Sequence, residues 1–350
     1  MARRVYNIRR MNRRLNLAGI TLAVSLIALA SACGSDDNGA TLTIYSGRSE
    51  ELIGPLLADF SEETGIKVEV KYGQSADLAL LVDEEAAAGR SNVDVFISQS
   101  PGAMGYLEDR DRLAALPSNV VELTPAEVRD NDGQWVGLTG RQRVLVYNTD
   151  LVDAATLPSS VFDLTDPAWK GKIGIAPGNG SFQDFVTSMR MTVGDASTSA
   201  FLEGLAANDP VTYEGNNAIV EAVARGEVAV GLTNHYYNYR RLIEVPSSPT
   251  ANHQFAPDDA GSILIITSAA ILANADDSDA ASEFVAWLLA GDAQKYFAVE
   301  TFEYPLAIGA APSSEIPSIT FADVGSIDFA DLGEGLERTR EMITEAGLAG

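Results

Sequence analysis

Leu42-Thr43-Ile44-Tyr45, Ile66-Lys67-Val68-Glu69-Val70 and Val93-Asp94-Val95-Phe96-Ile97 are three strand patterns separated by two helix patterns. In the first interval Leu52, Leu56 and Phe60 recur at four-residue spacing behind Ser49, a candidate N-cap, and Gly65 supplies the stop. In the second, residues from about Ala76 to Ala88 read as a helix stopped near Gly89. Alternation of this kind is a βαβαβ unit, for which the expected form is a parallel sheet with helices on both faces.

The pattern restarts downstream. Val144 to Tyr147, Ile173 to Ala176 and Val228 to Leu232 read as strands, separated by helical segments around Phe182 to Met191 and Ala218 to Ala224. A further strand-like run, Ile263 to Thr267, precedes an amphipathic helix from Ala281 to Leu289. No tandem repeat, low-complexity block or long linker interrupts residues 41–350. Two α/β halves without a linker predict lobes joined by crossover strands, with a ligand cleft between them.

Upstream, Arg3, Arg4, Arg9, Arg10, Arg13 and Arg14 precede an apolar run from Leu17 to Ala30, the size of a signal-peptide core and short of the ~20 residues that span a bilayer. The run ends in Leu29-Ala30-Ser31-Ala32-Cys33, which resembles the lipobox of bacterial lipoproteins, with Ala30 where Leu is usual. Residues 1–32 are thus expected to be a lipoprotein signal peptide, with Cys33 the lipid attachment point after cleavage. Residues 33–40 then form a polar flexible tether. The competing reading is an ordinary secretory signal with a bystander cysteine. The Arg13-Arg14 pair alone is a weak twin-arginine signal.

The chain has 350 residues and a mass of 37.1 kDa, with 46% hydrophobic residues, which excludes a disordered chain. Its 24 Lys and Arg against 49 Asp and Glu give a net charge of −25. Without residues 1–32 the balance is 18 bases against 49 acids, a net of −31. So acidic a chain repels nucleic acid and anionic headgroups, and no nucleic-acid partner is expected. A single cysteine excludes an internal disulfide and any multi-cysteine metal site.

Enzyme chemistry has little support. His235 and His253 are the only histidines, and there is no G-x-S-x-G elbow, P-loop or His-Glu-x-x-His helix. The densest constellation is Thr233-Asn234-His235-Tyr236-Tyr237-Asn238-Tyr239-Arg240-Arg241, directly after the strand ending at Leu232. At a strand-to-helix junction with Asn234 as N-cap, Tyr236 and Tyr237 can converge on one cleft. Two phenolates suit a hard cation such as Fe(III), whose charge displaces phenol protons with an ordinary pKa of about 10. The same spacing also serves core or cleft-lining aromatics, or a stacking platform for an organic ligand. Pro177-Gly178-Asn179-Gly180-Ser181-Phe182 opens a helix and exposes backbone N–H groups to an anion, although any tight βα turn looks similar. Tyr45-Ser46-Gly47-Arg48-Ser49 lies at the end of the first strand, where Arg48 either clamps an anion or pairs on the surface with Glu50 or Glu51.

Taken in order, these pieces resemble the bacterial ferric-iron-binding proteins, the periplasmic or lipoprotein receptors of Fe(III) ABC importers. The resemblance runs through residues 41–348. Its markers include Tyr45-Ser46-Gly47-Arg48-Ser49-Glu50, Gly140-Arg141-Gln142-Arg143-Val144-Leu145-Val146-Tyr147-Asn148-Thr149, Asp166-Pro167-Ala168-Trp169-Lys170-Gly171-Lys172-Ile173, Asn234-His235-Tyr236-Tyr237 and Glu303-Tyr304-Pro305-Leu306. It implies a type II periplasmic-binding-protein-like α/β fold of two lobes, each a mixed sheet flanked by helices. The N-terminal lobe would comprise residues 41–142 plus 266–305, and the C-terminal lobe 143–265 plus 306–350.

By the same resemblance Tyr236 and Tyr237 match the two phenolate ligands. Asn179, Gly180 and Ser181 match the turn that holds a synergistic anion, carbonate or phosphate, with Asn216 and Asn234 as further contacts and Arg48 and Arg141 holding the anion. Where some members supply a histidine and a glutamate, Ser49 and Gln99 stand here, neither a strong Fe(III) ligand. Other branches use a third tyrosine near Val146-Tyr147, which leaves Tyr147 an additional cleft candidate. The expected function is an exported, lipid-anchored, monomeric solute-binding protein on the outer face of the membrane, delivering Fe(III) with its anion to an ABC permease, without bond chemistry. The alternatives are a receptor for an organic anion, phosphonate or sugar, an enzyme on the same fold, and a sensing module for a membrane signalling partner.

Overall fold

The structure, a computed structural model, describes residues 40–319 and 332–348, which fall within one compact unit. The leader and Cys33 lie outside the described residues. β1 (Thr41–Ser46), α1 (Glu50–Thr64), β2 (Lys67–Tyr72), α2 (Ser75–Ala87) and β3 (Val95–Ser98) form the expected βαβαβ unit, with β1 parallel to both β2 and β3. Leu42 and Ile44 of β1 pack with Ile53, Leu56, Leu57 and Phe60 of α1 in one core cluster, so the four-residue spacing is a burial stripe. Gly65 ends α1 in the left-handed conformation at φ 75° and returns its N–H to the Ser61 carbonyl. Ser49 occupies the N-cap position, but its hydroxyl makes no capping bond. The Leu52 N–H that it would receive donates instead to the Ser49 carbonyl at 3.0 Å.

Next come α3 (Pro101–Glu108), the short α4 (Ser118–Val121) and β4 (Trp135–Asn148). The following segment carries β5 (Ile173–Ile175), α5 (Gly180–Val193), α6 (Asp195–Ala207), β6 (Val211–Thr212), α7 (Asn216–Ala224) and β7 (Val230–Asn234). It continues through α8 (His235–Glu244), β8 (Thr250–His253), β9 (Leu264–Ile271), α9 (Ser278–Leu288), α10 (Gly291–Val299), β10 (Tyr304–Pro305) and α11 (Leu332–Glu345).

The strand order is β2-β1-β3-β9-β4-β7-β5-β6, with β8 and β10 also paired to β4. β4 is the organising strand. From Trp135 to Gln142 it runs antiparallel to β9, and from Arg143 to Tyr147 antiparallel to β7. This single strand therefore carries one half of the mixed sheet on each side of the 142/143 switch. Helices flank both halves, which is the two-lobed α/β architecture. Only the end of β4 is visible as an apolar pattern, because Gly137, Thr139, Gly140 and Arg141 interrupt it although all are buried. β7 extends past Leu232 to Asn234, since Thr233 and Asn234 pair with Val144 and Arg143. α11 packs on α3 and α5, tied to the latter by a buried Thr187–Thr339 hydroxyl contact of 2.7 Å. Among the described residues no helix is long and apolar enough to cross a membrane.

Candidate functional site

Asn234 ends β7 in an extended conformation, φ −91° and ψ 147°, and so turns the chain directly into α8. Tyr236 and Tyr237 therefore sit in the first helical turn. Their rings stack, with centroids 4.1 Å apart and planes at 29°. Tyr236 is fully buried and its hydroxyl has no hydrogen-bond partner, whereas Tyr237 is half-buried and lines the cleft. Burial, reinforced by Tyr237 and Glu303 and opposed by Arg141, pushes the Tyr236 hydroxyl well above its ordinary pKa. Unliganded, it is a neutral phenol. His235 takes no part in this pair's chemistry. Its Nδ1 accepts from the Gln142 N–H at 3.1 Å, and Nε2 lies 2.7 Å from the Phe302 carbonyl, to which it donates. Burial pulls its pKa down to about 4, so the ring is a neutral staple between β4 and the segment before β10.

Three buried arginines surround the tyrosines. Arg48 is fully buried and reaches Glu303 with both terminal nitrogens at 2.8 Å, with Thr267 Oγ1 a further acceptor at 3.3 Å. Burial alone would push Glu303 up, but Arg48 first and Arg141 second hold its carboxyl below the usual range. Arg48 thus pairs neither with Glu50 nor with Glu51, and it bears on the cleft chiefly through its charge. Arg141 donates to the Gln99 side-chain oxygen at 3.3 Å, to the Gln99 carbonyl and to the Ile266 carbonyl at 3.2 Å, and lies 3.9 Å from Glu303. Gln99 in turn donates its amide to the Gly47 carbonyl. Both ends of its side chain are committed to the protein.

Arg143, two residues along the same face of β4, forms the second centre. Its Nη1 lies 3.2 Å from Asn234 Oδ1, 3.4 Å from Ser181 Oγ and 3.5 Å from Asn216 Oδ1, while Nη2 donates to the Leu232 carbonyl at 3.0 Å. Phe182 and Phe185 flank the guanidinium. Asn179 caps α5, its Oδ1 accepting from the Ser181 N–H at 3.1 Å and the Ser181 hydroxyl at 2.6 Å. One of the backbone donors expected at this turn is therefore taken by the cap. Asn216 Nδ2 reaches Ser181 Oγ at 3.1 Å. Ser181, Asn216 and Asn234, spread over three elements, meet around one cation, with Asn179 behind Ser181 and Asn216.

A cleft of ≈ 620 Å³ is lined by Gly47, Arg48, Ser49, Gln99, Arg141, Tyr237 and the turn Gly178–Ser181, whereas Tyr236, Arg143, Asn216 and Asn234 are buried and are not among its lining residues. Ser49 is at its exposed rim. Tyr147 packs half-buried against the core cluster that holds Leu145 and is not among the cleft-lining residues. A larger cavity of ≈ 1240 Å³ lies between α2, α3 and α11, but it holds neither tyrosine and none of the three buried arginines. The phenolic and cationic groups gather at the smaller cleft. Sequence reasoning missed Arg143, Glu303 and Asp184. Asp184 accepts from Ser100 Oγ at 2.7 Å, and burial pushes its carboxyl up to about 7 against the pull of Ser100, Arg141 and Arg143. The Arg-x-Arg alternation in β4 is the signal that could have found Arg143.

Among the described residues no group of three or more His, Cys, Asp or Glu is placed to hold a metal. The donor set is phenolic oxygen inside a cationic shell. Residues 90–328 match the family model for bacterial extracellular solute-binding proteins. The chain belongs to that family. This solute-binding protein is 28% identical over 328 residues to the Fe(3+)-binding periplasmic protein of Serratia marcescens, covering 92% of this chain and 94% of that one. It is 29% identical over 316 residues to the major ferric iron-binding protein of Neisseria meningitidis, covering 88% and 93%. Iron-bound HitA from Pseudomonas aeruginosa has the same fold at a TM-score of 0.84 and 31% identity, across 88% of the solute-binding protein and 100% of that chain.

Proposed function

We propose that this protein captures Fe(III) through Tyr236 and Tyr237, together with a small anion, and releases it to a membrane permease. The carrying observation is the stacked tyrosine pair whose inner hydroxyl is buried without a partner beside Arg48, Arg141 and Arg143. A stacking platform for a sugar or organic ring needs a free ring face, which the fully buried Tyr236 lacks and only the half-buried Tyr237 could offer. A buried unpartnered hydroxyl costs about 1–3 kcal/mol, a cost that a bound cation would relieve. The names of the relatives, which describe ferric binding, support the same cargo.

Charge counting explains the anion. Among the buried groups, three guanidiniums against the Glu303 carboxylate leave a net of +2 (3 − 1), or +1 when Asp184 is ionised, and Fe(III) with two phenolates adds one more. Carbonate or phosphate, each able to carry two negative charges, would offset most of that excess before the cleft closes. Asn179, Gly180 and Ser181 at the α5 cap, with Asn216 and Asn234 behind them, are the proposed cradle. Arg48 and Arg141 supply field from the opposite wall, and Ser49 and Gln99 are left without a metal role. A lipid at Cys33 would hold the monomeric receptor at the outer face of the membrane.

Loading with Fe(III) in bicarbonate or phosphate tests the reading. The loaded protein should be red to orange from phenolate-to-iron charge transfer, and Tyr236→Phe with Tyr237→Phe should abolish the band. A colourless wild-type protein would reject ferric binding. For the anchor, Cys33→Ser should release the exported protein from the membrane fraction.

A further inference from the structure

We propose that Arg143 is the positioning residue of the anion cradle, acting by turning the amides of Asn216 and Asn234 rather than by clamping the anion itself. The inference rests on the anion-assisted reading above. A guanidinium has donors and no acceptor, so any amide beside it must present oxygen. Asn234 and Asn216 do so, with Oδ1 at 3.2 and 3.5 Å from Nη1. Their nitrogens consequently face elsewhere. Asn216 Nδ2 supports Ser181 Oγ at 3.1 Å, and Asn234 Nδ2 is buried with no partner, two residues from the unpartnered Tyr236 hydroxyl. Ser181 Oγ gives its proton to Asn179 Oδ1 at 2.6 Å. The acceptor atoms of the cluster are committed inward, and Asn216 Nδ2 is spent on Ser181 Oγ and, at 3.4 Å, on Asn179 Oδ1, so the side-chain N–H left unpaired for an incoming ligand is that of Asn234.

A cradle of donors selects an oxyanion with fully deprotonated edges. Carbonate is favoured over bicarbonate, and the dianionic form of phosphate over the monoanionic. None of the hydrogen bonds Arg143 makes goes to a carboxylate, and two phenylalanine rings close over it. Burial draws its pKa down to about 9, with Tyr237 and Asp184 opposing the fall, so it remains cationic at neutral pH. Rotating either amide would set an N–H against this cation. The guanidinium therefore locks both.

The test uses the iron-free exported protein and reads anion-induced thermal stabilisation with inorganic phosphate and with bicarbonate. Wild type should gain Tm with either anion, more steeply at higher pH. Arg143→Lys keeps the charge but not the planar fork, and should lose most of that gain, raising the half-saturating phosphate concentration by about tenfold or more. Asn234→Asp keeps an oxygen facing Arg143, removes the N–H and adds a charge that pairs with the guanidinium, and should lose the gain without lowering the anion-free Tm. This second variant decides the matter if Arg143→Lys folds poorly. An unchanged anion response in Asn234→Asp, or an Arg143→Lys protein that folds and titrates as wild type, overturns the proposal. Colour separates the two readings: a colourless wild type that phosphate still stabilises rejects the iron and keeps the cradle. A coloured wild type indifferent to both anions rejects the cradle alone.

Discussion

Arg48 and Glu303 are each fully buried, so each is tolerable only because the other is there. Arg48→Ala should cost about 3–5 kcal/mol in urea unfolding, because it strands a buried carboxylate. Replacing both with methionine should recover most of that loss, an outcome absent if the pair were incidental. Tyr236→Phe behaves in the opposite way. It deletes a buried hydroxyl with no partner, so the iron-free protein should keep its stability or gain up to about 1 kcal/mol while the ferric band weakens or shifts, Tyr237 being the one phenolate left. A third residue tests the pH response far from the cleft. Glu108 accepts from the Trp135 indole at 3.0 Å, and burial, with Asp130 and Asp109 adding, pushes its carboxyl up to about 7 from an ordinary value near 4.5. The folded protein therefore binds more protons than the unfolded chain between those values, and this group's contribution to stability falls as pH rises through that window. Glu108→Gln keeps an acceptor for Trp135 without the charge. Its unfolding free energy should exceed that of wild type at pH 8, by roughly 1–2 kcal/mol after solvent screening, and match it near pH 4.5.

At the scale of elements, the approach of α7 to β7 sets the distance between Asn216, the first residue of one, and Asn234, the last residue of the other. Gly231 makes that approach possible, since a Cβ there would lie 2.2 Å from Ile219 Cγ2. Gly231→Ala should cost about 1–3 kcal/mol through overpacking, read by thermal unfolding. It should also weaken anion stabilisation, because α7 must move away from β7. No local pattern encodes such a contact. β1, α1, β2 and α2 were legible because their apolar periods match their burial, and the α5 cap was legible from Asn179-Gly180-Ser181. The position of the tyrosine pair at a strand-to-helix junction was legible, but its use was not, because the same spacing serves core, cleft-lining or stacking aromatics. By contrast, the first half of β4 was hidden by polar and glycine residues that long-range pairing buries. Glu303 lies 255 positions from Arg48, and no local period carries a partner so distant.

For the whole molecule, the question is what holds the cleft shut around its cargo. Glu51 on α1 and Arg240 on α8 both line the cleft and pair with each other, although α1 packs on the sheet before the β4 switch and α8 follows β7 beyond it. Ser100 and Asp184 join α3 to α5 at 2.7 Å. The Ser100 contact is buried, whereas the Glu51 side chain is 70% exposed. An exposed pair of this kind contributes at most about 1 kcal/mol, which converts to roughly fivefold in a rate. Glu51→Gln should therefore leave the position of the ferric band unchanged, because neither tyrosine is touched, and should speed iron loss to a chelator by up to about fivefold. The difference between variant and wild type should shrink in high salt, which screens the exposed pair and leaves the buried arginines almost untouched. Equal chelator-driven rates at low salt would mean that the pair closes nothing, and that burial around Asp184 and the arginines alone keeps the lobes together.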